Sequence, residues 1–88
     1  MLKIIKFSAT WCSPCKALAP KFKEISEKYS SSEIKFQEID IDKNQKLTEE
    51  YKVRSIPAVF IIKDENIVDK IIGNSPEKII QSIEIYKQ

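Results

Sequence analysis

The segment Trp11-Cys12-Ser13-Pro14-Cys15-Lys16 joins an apolar run to a helix-patterned run, and it holds both cysteines of the chain. Ahead of it, Ile4-Ile5-Lys6-Phe7 reads as a strand. Behind it, Cys15, Leu18, Phe22, Ile25 and Tyr29 recur at three- and four-residue spacing, which is the period of one helix face. A helix N-terminus offers free backbone N–H groups and a partial positive charge, and both stabilise a thiolate. Cys12 is placed there. A thiolate attacks disulfides, and Cys15, one turn further on, is placed to resolve the mixed disulfide. Pro14 falls in the first turn, where its missing N–H costs nothing.

Two other uses of such a pair are a zinc half-site and a structural disulfide. A zinc site takes about four ligands, usually Cys or His. This chain has two cysteines and no histidine, so metal would require carboxylates or a second chain. A structural disulfide closing so short a loop constrains the unfolded chain little. The pattern favours a dithiol that cycles to a disulfide. A metal carrier built from two Cys pairs and a non-enzymatic docking module stand as alternatives.

Composition narrows the field. Eighty-eight residues are expected to form one domain, 1–88, with a modest core. A net charge of +2, without a Lys/Arg cluster interleaved with aromatics, argues against nucleic acid. No apolar run approaches about 18 residues, so no membrane segment is expected. Met1-Leu2-Lys3-Ile4 leads straight into a strand and not into a signal-like apolar region. The expectation is a cytoplasmic protein, where reducing pools keep dithiols cycling.

The remaining pattern predicts strands over Leu2–Ser8, 34–41, 57–63 and 67–72. It predicts helices over 13–29, with Pro20 inside, over 44–52, and from Ser75-Pro76 onward. Ser75 is expected to cap the last helix, whose apolar face is Ile79, Ile80, Ile83 and Tyr86. Asp64-Glu65-Asn66 reads as the turn of a hairpin. The order βαβ-α-ββα implies an α/β fold. Its four-stranded mixed sheet has a right-handed parallel crossover and helices on both faces.

The run from Phe7 to Lys16, followed by Ala19-Pro20, resembles the active-site segment of thioredoxins. Asp40-Ile41-Asp42, Arg54-Ser55-Ile56-Pro57 and Gly73 follow in the family's order and spacing. The resemblance implies a thioredoxin-like fold and a protein disulfide reductase. Cys12 is then the nucleophile and Cys15 the resolving thiol, and the only redox group is the Cys12–Cys15 pair. It implies a cis Ile56–Pro57 bond beside the dithiol. Trp11, Pro14, Ile56, Pro57 and Gly73 would support the thiols or dock substrate. The implied partners are disulfide-containing proteins and a thioredoxin reductase, with the chain a monomer. A glutaredoxin-like, glutathione-coupled reductase is the alternative within this chemistry.

The chain departs from the family pattern in three places. It begins at what would be the family's second strand, so a reduced form without the leading strand and helix is expected. Ser13 stands where glycine is usual. Lys6 stands where thioredoxins usually carry a buried aspartate, and Glu38 stands where a lysine often pairs with it. Strand alternation puts Lys6 and Glu38 on one face of neighbouring strands, so an ion pair of inverted polarity is expected. Lys6 and Glu38 are therefore a candidate proton-transfer pair. A cation near the dithiol would favour thiolates, and pairing would cancel much of its field.

Overall fold

Strand β1 (Leu2–Ser8) buries every residue from Ile4 to Phe7. An uninterrupted buried run of this kind suits a strand covered on both faces. The computed structural model describes residues 1–88 and orders the chain as β1, α1 (Ser13–Tyr29), β2 (Ile34–Asp40), α2 (Gln45–Glu50), β3 (Ala58–Lys63), β4 (Asn66–Ile72) and α3 (Pro76–Tyr86). The strands form one mixed sheet in the order β2-β1-β3-β4. β1 lies parallel to β2 and antiparallel to β3, and β3 is antiparallel to β4. The expected four-stranded α/β architecture is therefore present.

Period-two alternation splits β1 between two cores. Leu2 and Ile4 pack with Leu18, Phe22, Ile25 and Tyr29 of α1 and with Ile79 and Ile83 of α3. Ile5 and Phe7 face the other way, against Phe60, Ile62 and the half-buried Leu47 and Tyr51. In that second core the rings of Phe7, Tyr51 and Phe60 meet with centroids 5.1–5.4 Å apart, within the range of favourable aromatic pairs.

Several boundaries differ from the sequence expectation, each for a local reason. The second helix ends at Glu50, short of the expected 52. Lys52 adopts φ +54°, and the Lys52 and Val53 N–H groups donate to the Glu49 and Thr48 carbonyls. This closes the helix as a Schellman turn, a geometry usually marked by glycine. The hairpin turn is two residues rather than three. Asp64 (φ +50°) and Glu65 (φ +73°) both sit in the left-handed region. Such turns match the right-handed twist of the flanking strands, so Asn66 already belongs to β4. Ser75 precedes α3 as expected, but its side chain makes no capping bond. Its backbone carbonyl accepts from Lys78 and Ile79 instead.

Two predictions arise from this packing. Ser82 on α3 is buried, and its hydroxyl has no hydrogen-bond partner. A buried, unsatisfied hydroxyl costs about 1–3 kcal/mol, and alanine is the better helix former. Ser82→Ala should therefore raise the urea midpoint by a stability gain of about 1 kcal/mol with an unchanged m-value. The second concerns α1 against α3, where the Tyr29 hydroxyl donates to Glu84 Oε2 at 2.6 Å. This bond, aided by Lys87, holds the Glu84 carboxyl below its ordinary 4.5. The same bond raises the Tyr29 phenol above its ordinary 10.0. The contribution is thus fully present between those two ordinary values. It is lost as pH falls through the lowered Glu84 value, and again as pH rises through the raised Tyr29 value. Tyr29→Phe should flatten both slopes in unfolding curves measured across pH.

Candidate active site

Cys12 is the N-cap of α1, with extended backbone, and Pro14 lies in the first turn of the helix. The Cys15 N–H donates to Cys12 Sγ at 3.2 Å, so one of the helix's free donors points at the sulfur. The Cys12 N–H in turn donates to the Ala9 carbonyl at 3.2 Å, which anchors the loop to the end of β1. Cys12 and Cys15 are joined by a disulfide, with Cα atoms 5.2 Å apart. Both are nearly buried and pack with Ala9, Ile41 and Ile56.

The loop before β3 supplies the opposite wall. The Ile56–Pro57 bond is cis, as expected. The Ile56 carbonyl oxygen lies 3.8 Å from Cys12 Sγ. Pro57 is buried, and its carbonyl accepts from the Gly73 N–H at 2.8 Å. Gly73 has φ +89°, a left-handed conformation that side-chain-bearing residues rarely adopt. This contact ties the β4 end to the loop beside the dithiol.

Trp11 is 64% exposed, next to the disulfide and outside the core. Its indole Nε1 donates to Asp42 Oδ2 at 2.8 Å, and Asp40 Oδ1 accepts from the Asp42 N–H at 2.9 Å. Asp42 as the holder of Trp11 was not anticipated. The Asp40-Ile41-Asp42 run was visible in the sequence, but the reach from the end of β2 to the dithiol loop was not.

Lys6 and Glu38 meet. They occupy opposite positions in the β1–β2 register, with Nζ and Oε1 2.8 Å apart. The pair is lopsided. The Lys6 side chain is 2% exposed and that of Glu38 is 64% exposed. Lys6 Nζ also lies 4.9 Å from the centroid of the Phe22 ring, a cation–π contact that sequence reading missed. Inside the protein, Lys6 Nζ thus has one carboxylate and one aromatic face as its partners.

No group of three or more His, Cys, Asp or Glu side chains is arranged to hold a metal ion. No helix is long and apolar enough to cross a membrane.

Comparison with known proteins agrees with this geometry. The family model for thioredoxin matches residues 1–85. The chain is 40% identical to a thioredoxin of Coprinus comatus over 73 residues, covering 83% of this chain and 69% of that protein. It is 38% identical to thioredoxin-1 of Schizosaccharomyces pombe over 82 residues, covering 93% and 78% respectively. The crystal structure of reduced Schistosoma mansoni thioredoxin pre-protein superposes with a TM-score of 0.90 at 36% identity, covering 97% of this chain and 78% of that one. The thioredoxin of Malassezia sympodialis gives 0.91 at 29% identity, covering 99% and 76%. With a family match over residues 1–85 and this fold built around a paired dithiol, the chain belongs to the thioredoxin family and is a protein disulfide oxidoreductase.

Proposed function

We propose that the chain is a protein disulfide reductase in which Cys12 attacks and Cys15 resolves. The observation that carries this reading is Cys12 at the N-cap of α1, its sulfur accepting a helix N–H and facing the Ile56 carbonyl. In the reduced protein the Cys12 thiolate attacks one sulfur of a substrate disulfide. That S–S bond breaks, one substrate thiolate leaves and takes a proton, and a mixed disulfide forms. Cys15 then loses its proton to solvent and attacks Cys12 Sγ. The second substrate thiolate leaves and is protonated, and the Cys12–Cys15 bond closes. Two electrons pass from the dithiol to the substrate.

Trp11, the Ile56 backbone and the Gly73 turn are read as the docking rim, where an extended substrate segment lies against backbone groups. Pro14 sets the start of α1, and Pro57 sets the loop that carries Ile56. Residues 1–88 are read as one domain, acting as a monomer with no cofactor beyond the thiols. A thioredoxin reductase in the cytoplasm is the proposed source of electrons, because an oxidised dithiol must be re-reduced for turnover.

The test is insulin-disulfide reduction, driven by thioredoxin reductase and separately by glutathione with its reductase. Activity is expected in the first arm. Cys12→Ser should abolish it, and Cys15→Ser should accumulate a mixed disulfide visible on non-reducing gels. Full turnover by either variant defeats the assignment of roles. A second measurement addresses the rim. Asp42→Ala removes the acceptor that holds Trp11, an exposed hydrogen bond of about 0.5–1.5 kcal/mol. It should raise the KM for insulin by roughly two- to tenfold with little change in thermal stability.

A further inference from the structure

The reaction as described leaves one unusual group unused. Lys6, a charged residue, is among the largest fully buried side chains of the protein. Burying an ammonium is costly, and one carboxylate and one aromatic face only partly offset that cost. Its location is specific. β1 runs from Lys6 through Ser8 directly into the loop that carries Cys12. Lys6 shares a sheet face with Ile4, which packs on Leu18 and Phe22 of α1. Cys15, Leu18 and Phe22 are the buried residues along that helix face. Phe22, the ring over which Lys6 Nζ sits, is two turns beyond Cys15, about 10 Å along the axis. Between Cys15 and Phe22 on this helix face lies Leu18, which is fully buried.

We propose that Lys6 is a positioning residue that sets the redox poise of the Cys12–Cys15 pair through its field, with Glu38 as an attenuator. This role rests on the dithiol reading above and on the unequal burial of the pair. Water surrounds Glu38 and screens its charge, while the Lys6 ammonium is enclosed in protein and is screened much less. The two charges therefore do not cancel at the sulfurs, and the residual field is cationic. The other charged side chains of the surrounding elements are all exposed or half-buried: those of α1 from Lys16 to Lys28, Lys35 and Asp40 on β2, Asp42 just after it, and Arg54 before β3. Each is screened more strongly than Lys6. A cationic field stabilises the thiolate of the reduced form and leaves the neutral disulfide unaffected. It makes the protein a weaker reductant than the same dithiol without Lys6. Lys6 donates no proton in this scheme and touches no substrate.

The test separates a field from a structural role. Wild type, Lys6→Met and Glu38→Gln are equilibrated in glutathione redox buffers. The oxidised fraction is read by alkylation, and the Cys12 thiol pKa by the pH dependence of alkylation. Lys6→Met removes the buried cation. It should shift the exchange equilibrium threefold or more toward the disulfide, about 14 mV for a two-electron couple, and raise the thiol pKa. Glu38→Gln unmasks the cation. It should shift both quantities the opposite way. A purely structural pair would lower the denaturation midpoint in both variants and leave both redox quantities in place. Shifts of the same sign, or no shift in either variant, overturn the proposal. If Lys6→Met does not fold, the surface substitution Glu38→Gln decides alone, by the sign of its shift. Insulin reduction by the wild type, measured in parallel, reports on the dithiol reading separately.

Discussion

Strand β1 hydrogen-bonds to β2 on one side and to β3 on the other, and its two faces carry the two cores of the protein. Its last residues deliver the chain to Ala9, whose carbonyl holds the Cys12 N–H. The position of the dithiol is thus inherited from a strand that cannot move without breaking both ladders and both cores. The helix that follows is held by the same strand through Ile4, Leu18 and Phe22. Loss of a single buried side chain of this size typically costs about 2–5 kcal/mol, a large share of the stability of a domain this small.

The chemistry depends on what this scaffold points at the sulfurs. One backbone N–H of α1 and the Ile56 carbonyl meet Cys12 Sγ from two separate segments of the chain, with the exposed Trp11 as its chain neighbour. Trp11 is held by an aspartate from the end of β2, and the Ile56 loop is tied to Gly73 from the end of β4. The site is assembled where the C-terminal end of β1 meets these loops, so no single segment can be altered without changing the approach to the thiols. The Lys6–Glu38 pair adds a charge asymmetry beneath that surface, one partner dry and the other wet.

Much of this was legible in the residues. Trp11-Cys12-Ser13-Pro14-Cys15, set between an apolar run and a helical period, located the redox pair and the start of α1. The alternation of β1 and β2 was enough to expect Lys6 against Glu38. Element ends were less legible where the backbone enters the left-handed region at Lys52, Asp64 and Glu65, because none of these is the glycine that normally marks such a position. Ser75 looked like a side-chain cap, yet its backbone carbonyl accepts the first bonds and its hydroxyl makes none to the helix.

The sequence by itself determined the chemistry available, two thiols three residues apart at a helix start, because spacing and helix polarity are local properties. It also determined the order of strands and helices along the chain, because periodicity is local. Tertiary structure alone decided which groups meet the thiols: Ile56 comes from 44 residues away from Cys12, and Asp42 from 31 residues away from Trp11. It alone decided that Lys6 is enclosed while Glu38 is hydrated. Burial and screening depend on every neighbour at once, and those neighbours are gathered only when β1 is paired between β2 and β3 and covered by α1.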